Sequence, residues 1–346
     1  MKNPCLFLFI CIFASVLFAE DGPVYHVPIH GTIDMGLPHY IQRVVNEAEE
    51  NNANVIIFDI DTFGGRVDAA TQIKDIILDS KVTTIAFINK RAISAGALIA
   101  LSCDSIFMTP GASIGAATAV DLQGNKASEK VISYMREEMA STAEANNRSR
   151  GVATAMVDEE LSIDFLLNMQ GDTLTAKDVE GFAEGKLITL STQLAVQLGI
   201  AGGEFERIED VLKYLELENV EQKNTEESWS EKLVRFLTNP VVAPLFMSLG
   251  MLGLFMEIKS PGFGIPGIVG LTCLALFFGS HFLVGLADMT EVIFLLAGIA
   301  LILMEILVVP GFGVVGISGI IMVFYSFFKM LIGVYPSPAD YYFAYM

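Results

Sequence analysis

Positive charge is scarce in this chain, and unevenly placed. The 346 residues carry 21 Lys and Arg against 40 Asp and Glu, a formal net charge of −19. Residues 1–239 hold 19 of the basic and 35 of the acidic residues, whereas residues 240–346 hold two lysines, five acids and no arginine. Neutralising phosphate needs clustered Lys and Arg, so nucleic acid is excluded as a partner. Cysteine is sparse too. Cys5 and Cys11 lie in an apolar leader and Cys273 in an apolar run, so Cys103 stands alone in the charged part and no internal disulfide forms there. No CxxC or Cys/His cluster suggests zinc. Of the four histidines, His26, His30 and His39 crowd the start of the charged part and His281 lies in the apolar part. Histidine-based nucleophilic catalysis is left without a well-placed base.

Apolar residues are what the chain has in excess. They make up 53% of it and its mean hydropathy is +0.53, too apolar for an ordinary soluble protein. Residues 1–19 (MKNPCLFLFICIFASVLFA) have an early lysine, an apolar core and a small residue before Glu20. They read as a secretory signal, or, because Leu17 stands where a small residue is preferred, as a retained anchor. Either places the following domain outside the cytoplasm. Four apolar stretches, about 241–258, 265–286, 292–309 and 314–334, each approach the ~17–25 residues that cross a bilayer. They form an internal repeat: Glu257 and Glu305 each precede a Pro-Gly-Phe-Gly run, so two helical hairpins are expected. A glutamate at the end of a span suits an interfacial or capping role.

The charged part alternates strand and helix. Residues 24–29 (VYHVPI), 55–60 (VIIFDI) and 82–88 (VTTIAFI) read as strands, the latter two buried. Residues 37–51, 67–78 and 128–145 read as helices, the last with Val131, Tyr134, Met135 and Met139 on one face. This predicts an α/β fold with a mainly parallel sheet, whose ligands sit beyond the carboxyl ends of the strands. Two features fall there. One is the loop 61–66 with Gly64 and Gly65, the other Ser94 at the turn from the third strand into a buried helix. Glycine amides and a helix N-terminus both favour a developing oxyanion. The same serine also fits a plain N-cap. Residues 108–116 would shape the site, and 121–127 read as a polar, mobile loop. Lys130 heads the helix that follows. A partly buried lysine there loses proton affinity through desolvation and the helix dipole, and a neutral amine can take a serine proton. Lys126 is its rival and Lys90 a weaker one. Residues 219–230 read as a polar linker, and 231–237, with Trp229, Lys232 and Arg235, as a helix entering the membrane interface.

Taken together, VYHVPIHGTID, DTFGGRVDAA, AISAGALIALSCDSIFMTPGASIGAA, KVISYMREEMASTAEANNRS and GKLITLSTQLAVQLGIAGG resemble the extracytoplasmic protease domain of the NfeD family. That domain belongs with signal peptide peptidase A in the ClpP/crotonase-like superfamily of repeated ββα-type units. The Pro-Gly-Phe-Gly repeat resembles the family's membrane domain. The resemblance implies a signal (1–19), a protease domain (20–217), a linker and interfacial helix (218–240), a four-helix membrane domain (241–335) and a tail (336–346). It implies Ser94 as nucleophile, Lys130 as general base, and Gly65 and Ala95, with Gly64 of the same loop, as the oxyanion hole. The dyad needs no metal or cofactor. The expected substrate is an apolar segment of a membrane-associated protein, with stomatin/SPFH-type proteins as partners, at a prokaryotic cell membrane and in a homo-oligomer. Longer members add a β-barrel after the spans, and with the sequence ending at Met346 it is expected to be missing. Two other readings share the fold: a catalytically inactive membrane scaffold, and a crotonase-type enzyme acting on acyl thioesters, which secretion disfavours.

Overall fold

A computed structural model describes residues 22–120, 125–239, 241–258, 264–284, 289–307 and 313–332. The expected signal, the tip of the 121–127 loop, Lys259 and the C-terminal tail lie outside the described residues. The elements run β1 (Val24–Ile33), α1 (Leu37–Glu50), β2 (Val55–Gly65), α2 (Val67–Leu78), β3 (Thr83–Ile93), α3 (Ala95–Ser102), β4 (Ser105–Met108), β5 (Ser113–Gly115), α4 (Glu129–Ala145) and α5 (Arg150–Ala155). There follow β6 (Leu166–Leu167), β7 (Thr173–Leu174), β8 (Thr189–Ser191), α6 (Thr192–Gln197), β9 (Gly203–Glu204), α7 (Ile208–Tyr214), β10 (Gln222–Asn224) and α8 (Trp229–Leu237). The apolar part forms α9 (Val242–Ile258), α10 (Ile265–Leu283), α11 (Met289–Leu307) and α12 (Val314–Ile332).

The main sheet has the order β10-β1-β2-β3-β4-β9, and all of these pairs are parallel. Alternation along each strand sorts residues to its two faces. Tyr25, Ile56, Phe58, Ile60, Ala86 and Ile88 pack under α1, α2, α3 and α4. Val24, Val55, Ile57, Ile85, Phe87 and Phe107 meet Val211 and Leu212 of α7 on the other face. Both faces are covered, which is why VIIF and VTTIAFI are continuously apolar. The strands run further than their apolar cores. The β1–β2 register slips between His30 and Thr32, and the β2–β3 register between Ile60 and Asp61. Past these bulges β3 pairs with β5, and β5 pairs antiparallel with β8. Gly64 and Gly65, expected in a loop, thus form the end of β2. On α4 the buried face is Ile132, Met135, Met139, Ala140 and Ala143, while Tyr134, expected on one face with Met135 and Met139, is 48% exposed.

The stretch expected as a linker is part of the fold. Gln222–Asn224 adds β10 to the edge of β1. α8 then opens with a capping box between Ser228 and Glu231. Arg43 of α1 grips Glu231 through Nε and Nη2, at 2.8 and 2.9 Å. Burial raises the Glu231 carboxyl, and its bonds to Arg43 and Ser228 outweigh that and hold it below the usual carboxylate value. A depressed carboxylate contributes stability that is present above the unfolded value, about 4.3, and is lost as pH falls through the folded one. Acid should therefore loosen α8 before the sheet melts. Fluorescence anisotropy of Trp229, the single tryptophan, should fall below about pH 4 while the β-sheet circular dichroism persists.

The apolar helices pair in the expected hairpins, α9 on α10 and α11 on α12. The glutamates do cap. Glu257 accepts from the N–H groups of Gly264 and, at 2.8 Å, Gly267 at the start of α10. Glu305 accepts from Gly313 N–H at the start of α12. Glu257 thereby pairs two amides at the start of the helix that follows, and Glu305 one. Among the described residues α10, with mean hydropathy 1.7, is by itself long and apolar enough to cross a bilayer, and α8 with α9 passes as a bent pair. Against the four expected spans, Val292–Ile302 and Val314–Lys329 are shorter apolar stretches.

Candidate active site

Ser94 joins β3 to α3 with φ 56° and ψ −119°. A non-glycine residue there is strained, and such strain persists only where the surroundings enforce it. The Ser94 N–H donates to the Gly115 carbonyl at 3.0 Å, and the Ser94 carbonyl accepts the Ala97 N–H at 2.9 Å. The hydroxyl makes no capping bond to α3. Ser149, Ser191 and Ser228 show what capping looks like in this chain. All three are extended, with φ between −63° and −69°, and each accepts a backbone N–H of its own helix. Ser94 occupies the N-cap position without capping, and its side chain is half-exposed at the carboxyl end of the sheet.

Gly64 lies against it. A Cβ on Gly64 would fall 2.7 Å from Ser94 Cβ, 3.0 Å from the Ile93 carbonyl oxygen and 3.2 Å from Ala95 N, and φ is +105°. Only glycine fits such a position. The Gly64 amide itself is directed elsewhere. It donates to Thr62 Oγ1 at 2.9 Å, and that hydroxyl donates to the Gly31 carbonyl. Arg66 N–H closes on the Ile33 carbonyl at 2.8 Å. Gly65 lies between them, past Thr62–Ala92, the last pair of the β2–β3 ladder. Gly64 thus provides the space beside Ser94, and Thr62 holds its amide. Sequence reasoning passed over Thr62, a 1% exposed hydroxyl just before the glycines. Thr62→Val keeps the shape and removes both bonds, leaving the buried Gly64 N–H unpaired while the Gly31 carbonyl can turn to water. That should cost about 1–3 kcal/mol in chemical denaturation.

The lysines are sorted by their partners. Lys126 Nζ sits 3.1 Å from Glu159 Oε1 and 3.7 Å from Glu160 Oε1, and its hydrogen bond to Glu159, above all, holds the ammonium on. Lys90 pairs with Asp61 at 3.5 Å. Lys130, in the first turn of α4, has no hydrogen bond or ion pair among the described residues. It was expected to be partly buried and is exposed, because α4 packs through Ile132, Met135 and Met139 and turns its first residues to solvent. Beside the serine, Phe63, Arg91, Ile93, Pro110 and Ser113 line an open pocket of about 450 Å³. Phe63 is 74% exposed, with the Arg91 guanidinium 4.3 Å from its ring centroid and Arg91 Nε 3.2 Å from Asp61. No group of three metal-ligating side chains occurs among the described residues.

Fold and site define a class: an α/β domain with a mainly parallel sheet and a strained serine at a strand-to-helix turn, joined to a bundle of apolar helices. The chain belongs to the NfeD family. The NfeD1b N-terminal domain family matches residues 23–225, and the NfeD integral membrane domain family matches residues 241–344. It is 39% identical over 310 residues to the membrane protein NfeD1b of Bacillus subtilis, covering 90% of this chain and 67% of that protein. It is 28% identical over 288 residues to the membrane-bound protease PH1510 of Pyrococcus horikoshii, covering 80% of this chain and 62% of that one. The chain thus spans about two thirds of the length of these relatives. Among solved structures, it is similar to a lysine-to-alanine mutant of the 1510-N membrane-bound stomatin-specific protease in complex with a substrate peptide. That likeness has 26% identity and a TM-score of 0.51, over 64% of this chain and 99% of that one. The chain is a membrane protein and a relative of a membrane-bound protease.

Proposed function

We propose that this chain is a membrane-anchored serine endopeptidase with a Ser94–Lys130 dyad. It acts on apolar segments of membrane-associated proteins, stomatin/SPFH-type proteins among them. The observation that carries the reading is Ser94 itself: strained, half-exposed, released from capping and set against Gly64. Lys130 Nζ takes the Ser94 Oγ proton as Oγ attacks the peptide carbonyl. The oxyanion is held by the Gly65 and Ala95 amides. The C–N bond then breaks, the amine leaves with the lysine's proton, and water hydrolyses the ester. An apolar substrate laid over the exposed Lys130 would exclude water from the dyad, which ties substrate preference to catalysis. The relative's association with stomatin, the apolar face of Phe63 beside the serine and the membrane helices all favour that substrate class. All four apolar helices cross the membrane in this reading, with the protease domain on the extracytoplasmic side and the chain assembling as a homo-oligomer.

The test is hydrolysis of apolar peptides by the full chain in detergent micelles. Lys130→Ala should lower kcat by about 10²–10⁴-fold. Lys126→Ala, which removes a surface ion pair, should stay within about twofold. The reverse pattern moves the base to Lys126. A second reading, an inactive membrane scaffold, is favoured by the solvent-exposed Lys130; it takes over if the wild-type chain neither hydrolyses peptide nor reacts with a phosphonate.

A further inference from the structure

Two arginine clamps fasten α8 to the α/β unit, and they differ in what they hold. Arg43 takes Glu231 and the Glu226 carbonyl, both at the α8 end of the contact. Arg235 reaches the other way. Its Nε and Nη2 lie 2.8 and 2.7 Å from Asp34 Oδ2, its Nη1 donates to Glu227, and its Nη2 donates to the Thr32 carbonyl at 3.1 Å. The side chain is 17% exposed. Its stem lies on Gly36, where a Cβ would come within 2.4 Å of Arg235 Cγ.

Thr32 and Ile33 are the β1 residues opposite Gly64 and Gly65. The Ile33 carbonyl receives the Arg66 N–H that closes the same ladder. Asp34, the next residue, also fixes the turn into α1 by accepting the Gly36 N–H at 2.9 Å. The guanidinium therefore grips the short segment on which the glycine end of β2 is laid, one strand away from Ser94. Both arginines bond a main-chain carbonyl, and what separates them is its place: Arg43 takes that of Glu226, just before α8, and Arg235 that of Thr32 in β1, the strand paired with the glycine end of β2.

We propose that Arg235 is a positioning residue for acyl transfer at Ser94: docked α8 holds residues 32–34 of β1 and the turn after it, and through them the Gly64–Gly65 end of β2, where the oxyanion requires it. α8 leads directly into the apolar helices, so membrane attachment and the set of the oxyanion loop share one side chain. The catalytic half of this inference rests on the serine-protease reading; the tether does not. A misplaced oxyanion donor weakens the transition state more than substrate binding, so kcat should fall while KM holds.

The experiment uses the full chain in detergent micelles, with Arg235→Gln, Arg235→Lys, Gly36→Ala and Arg43→Gln. Gly36→Ala displaces the Arg235 stem and crowds Asp34 Oδ1, at 3.3 Å, without removing a charge. Arg43→Gln cuts the other clamp and leaves Arg235 in place. Two readouts are taken: hydrogen exchange of amides 61–68, and kcat and KM for an apolar peptide. Arg235→Gln and Gly36→Ala should each speed exchange of these amides about tenfold. They should lower kcat about tenfold with KM within about twofold. Arg235→Lys should recover part of both effects, and Arg43→Gln, which cuts only the Glu231 end of the contact, should change each several-fold less than Arg235→Gln does. Unchanged exchange in Arg235→Gln, or an equal response from Arg43→Gln, overturns the tether. Absent wild-type turnover with the expected exchange pattern overturns the protease reading and leaves the tether standing.

Discussion

Ser94→Ala should abolish both phosphonate labelling and peptide hydrolysis, a loss of about 10³-fold or more, and leave the melting temperature unchanged or slightly raised. The second half of this result discriminates. If Ser94 were an N-cap, its removal would cost about 1 kcal/mol, the amount expected for Ser149→Ala, whose hydroxyl accepts the Val152 N–H at 3.3 Å. The Ser94 hydroxyl makes no capping bond to α3, so no such bond is lost with it. Alanine keeps the main-chain bonds to Gly115 and Ala97, which hold the turn. Parallel melts of Ser94→Ala and Ser149→Ala, with labelling of both, separate the roles. A nucleophile loses labelling and keeps stability, and a cap does the opposite. Equal destabilisation with labelling retained would return Ser94 to the helix.

Much of this arrangement was legible in the sequence. Buried parallel strands announce themselves as unbroken apolar runs, and the carboxyl ends of those runs pointed to Gly64–Gly65 and Ser94 before any coordinates. The Glu257 and Glu305 repeat announced two hairpins because the same acid precedes the same Pro-Gly-Phe-Gly turn. What stayed hidden depends on contacts distant in sequence. Whether Ser94 caps its helix is decided by φ and ψ that Gly115 and Gly64 impose on it. Whether the Gly64 amide is available is decided by the Thr62 hydroxyl, and a threonine in a β-rich run looks like any strand residue. Residues 219–230 have linker composition, yet Gln222–Asn224 finds an open parallel edge on β1, and Arg43 and Arg235 find carboxylates 188 and 201 residues away. Tyr134 and Lys130 face solvent for one reason. Helical periodicity gives a face, but the rotation of α4 is set by Ile132, Met135 and Met139 packing on the domain core.

Gly64→Ala is expected to be the most damaging single substitution outside the serine itself. The added methyl meets Ser94 Cβ at 2.7 Å, the Ile93 carbonyl at 3.0 Å and Ala95 N at 3.2 Å. None of these is the end of a flexible side chain, so relief requires moving the main chain. The atoms that must move are the Cβ of the proposed nucleophile and an amide proposed for the oxyanion. Loss of one such donor lowers kcat by about 10²–10³-fold, and displacement of the serine adds to it. Stability falls as well, because φ +105° costs an L-residue about 1–2 kcal/mol. That second cost can be isolated. Gly185 has φ +80° with open space where its Cβ would be, so Gly185→Ala carries the conformational penalty and no collision. Chemical denaturation should show both variants destabilised, Gly64→Ala more so. Phosphonate labelling should then be near wild type in Gly185→Ala and nearly absent in Gly64→Ala. If Gly64→Ala labels as fast as Gly185→Ala, the close approach of Gly64 to Ser94 serves only the packing of β2 against α3, and the oxyanion must be bound elsewhere.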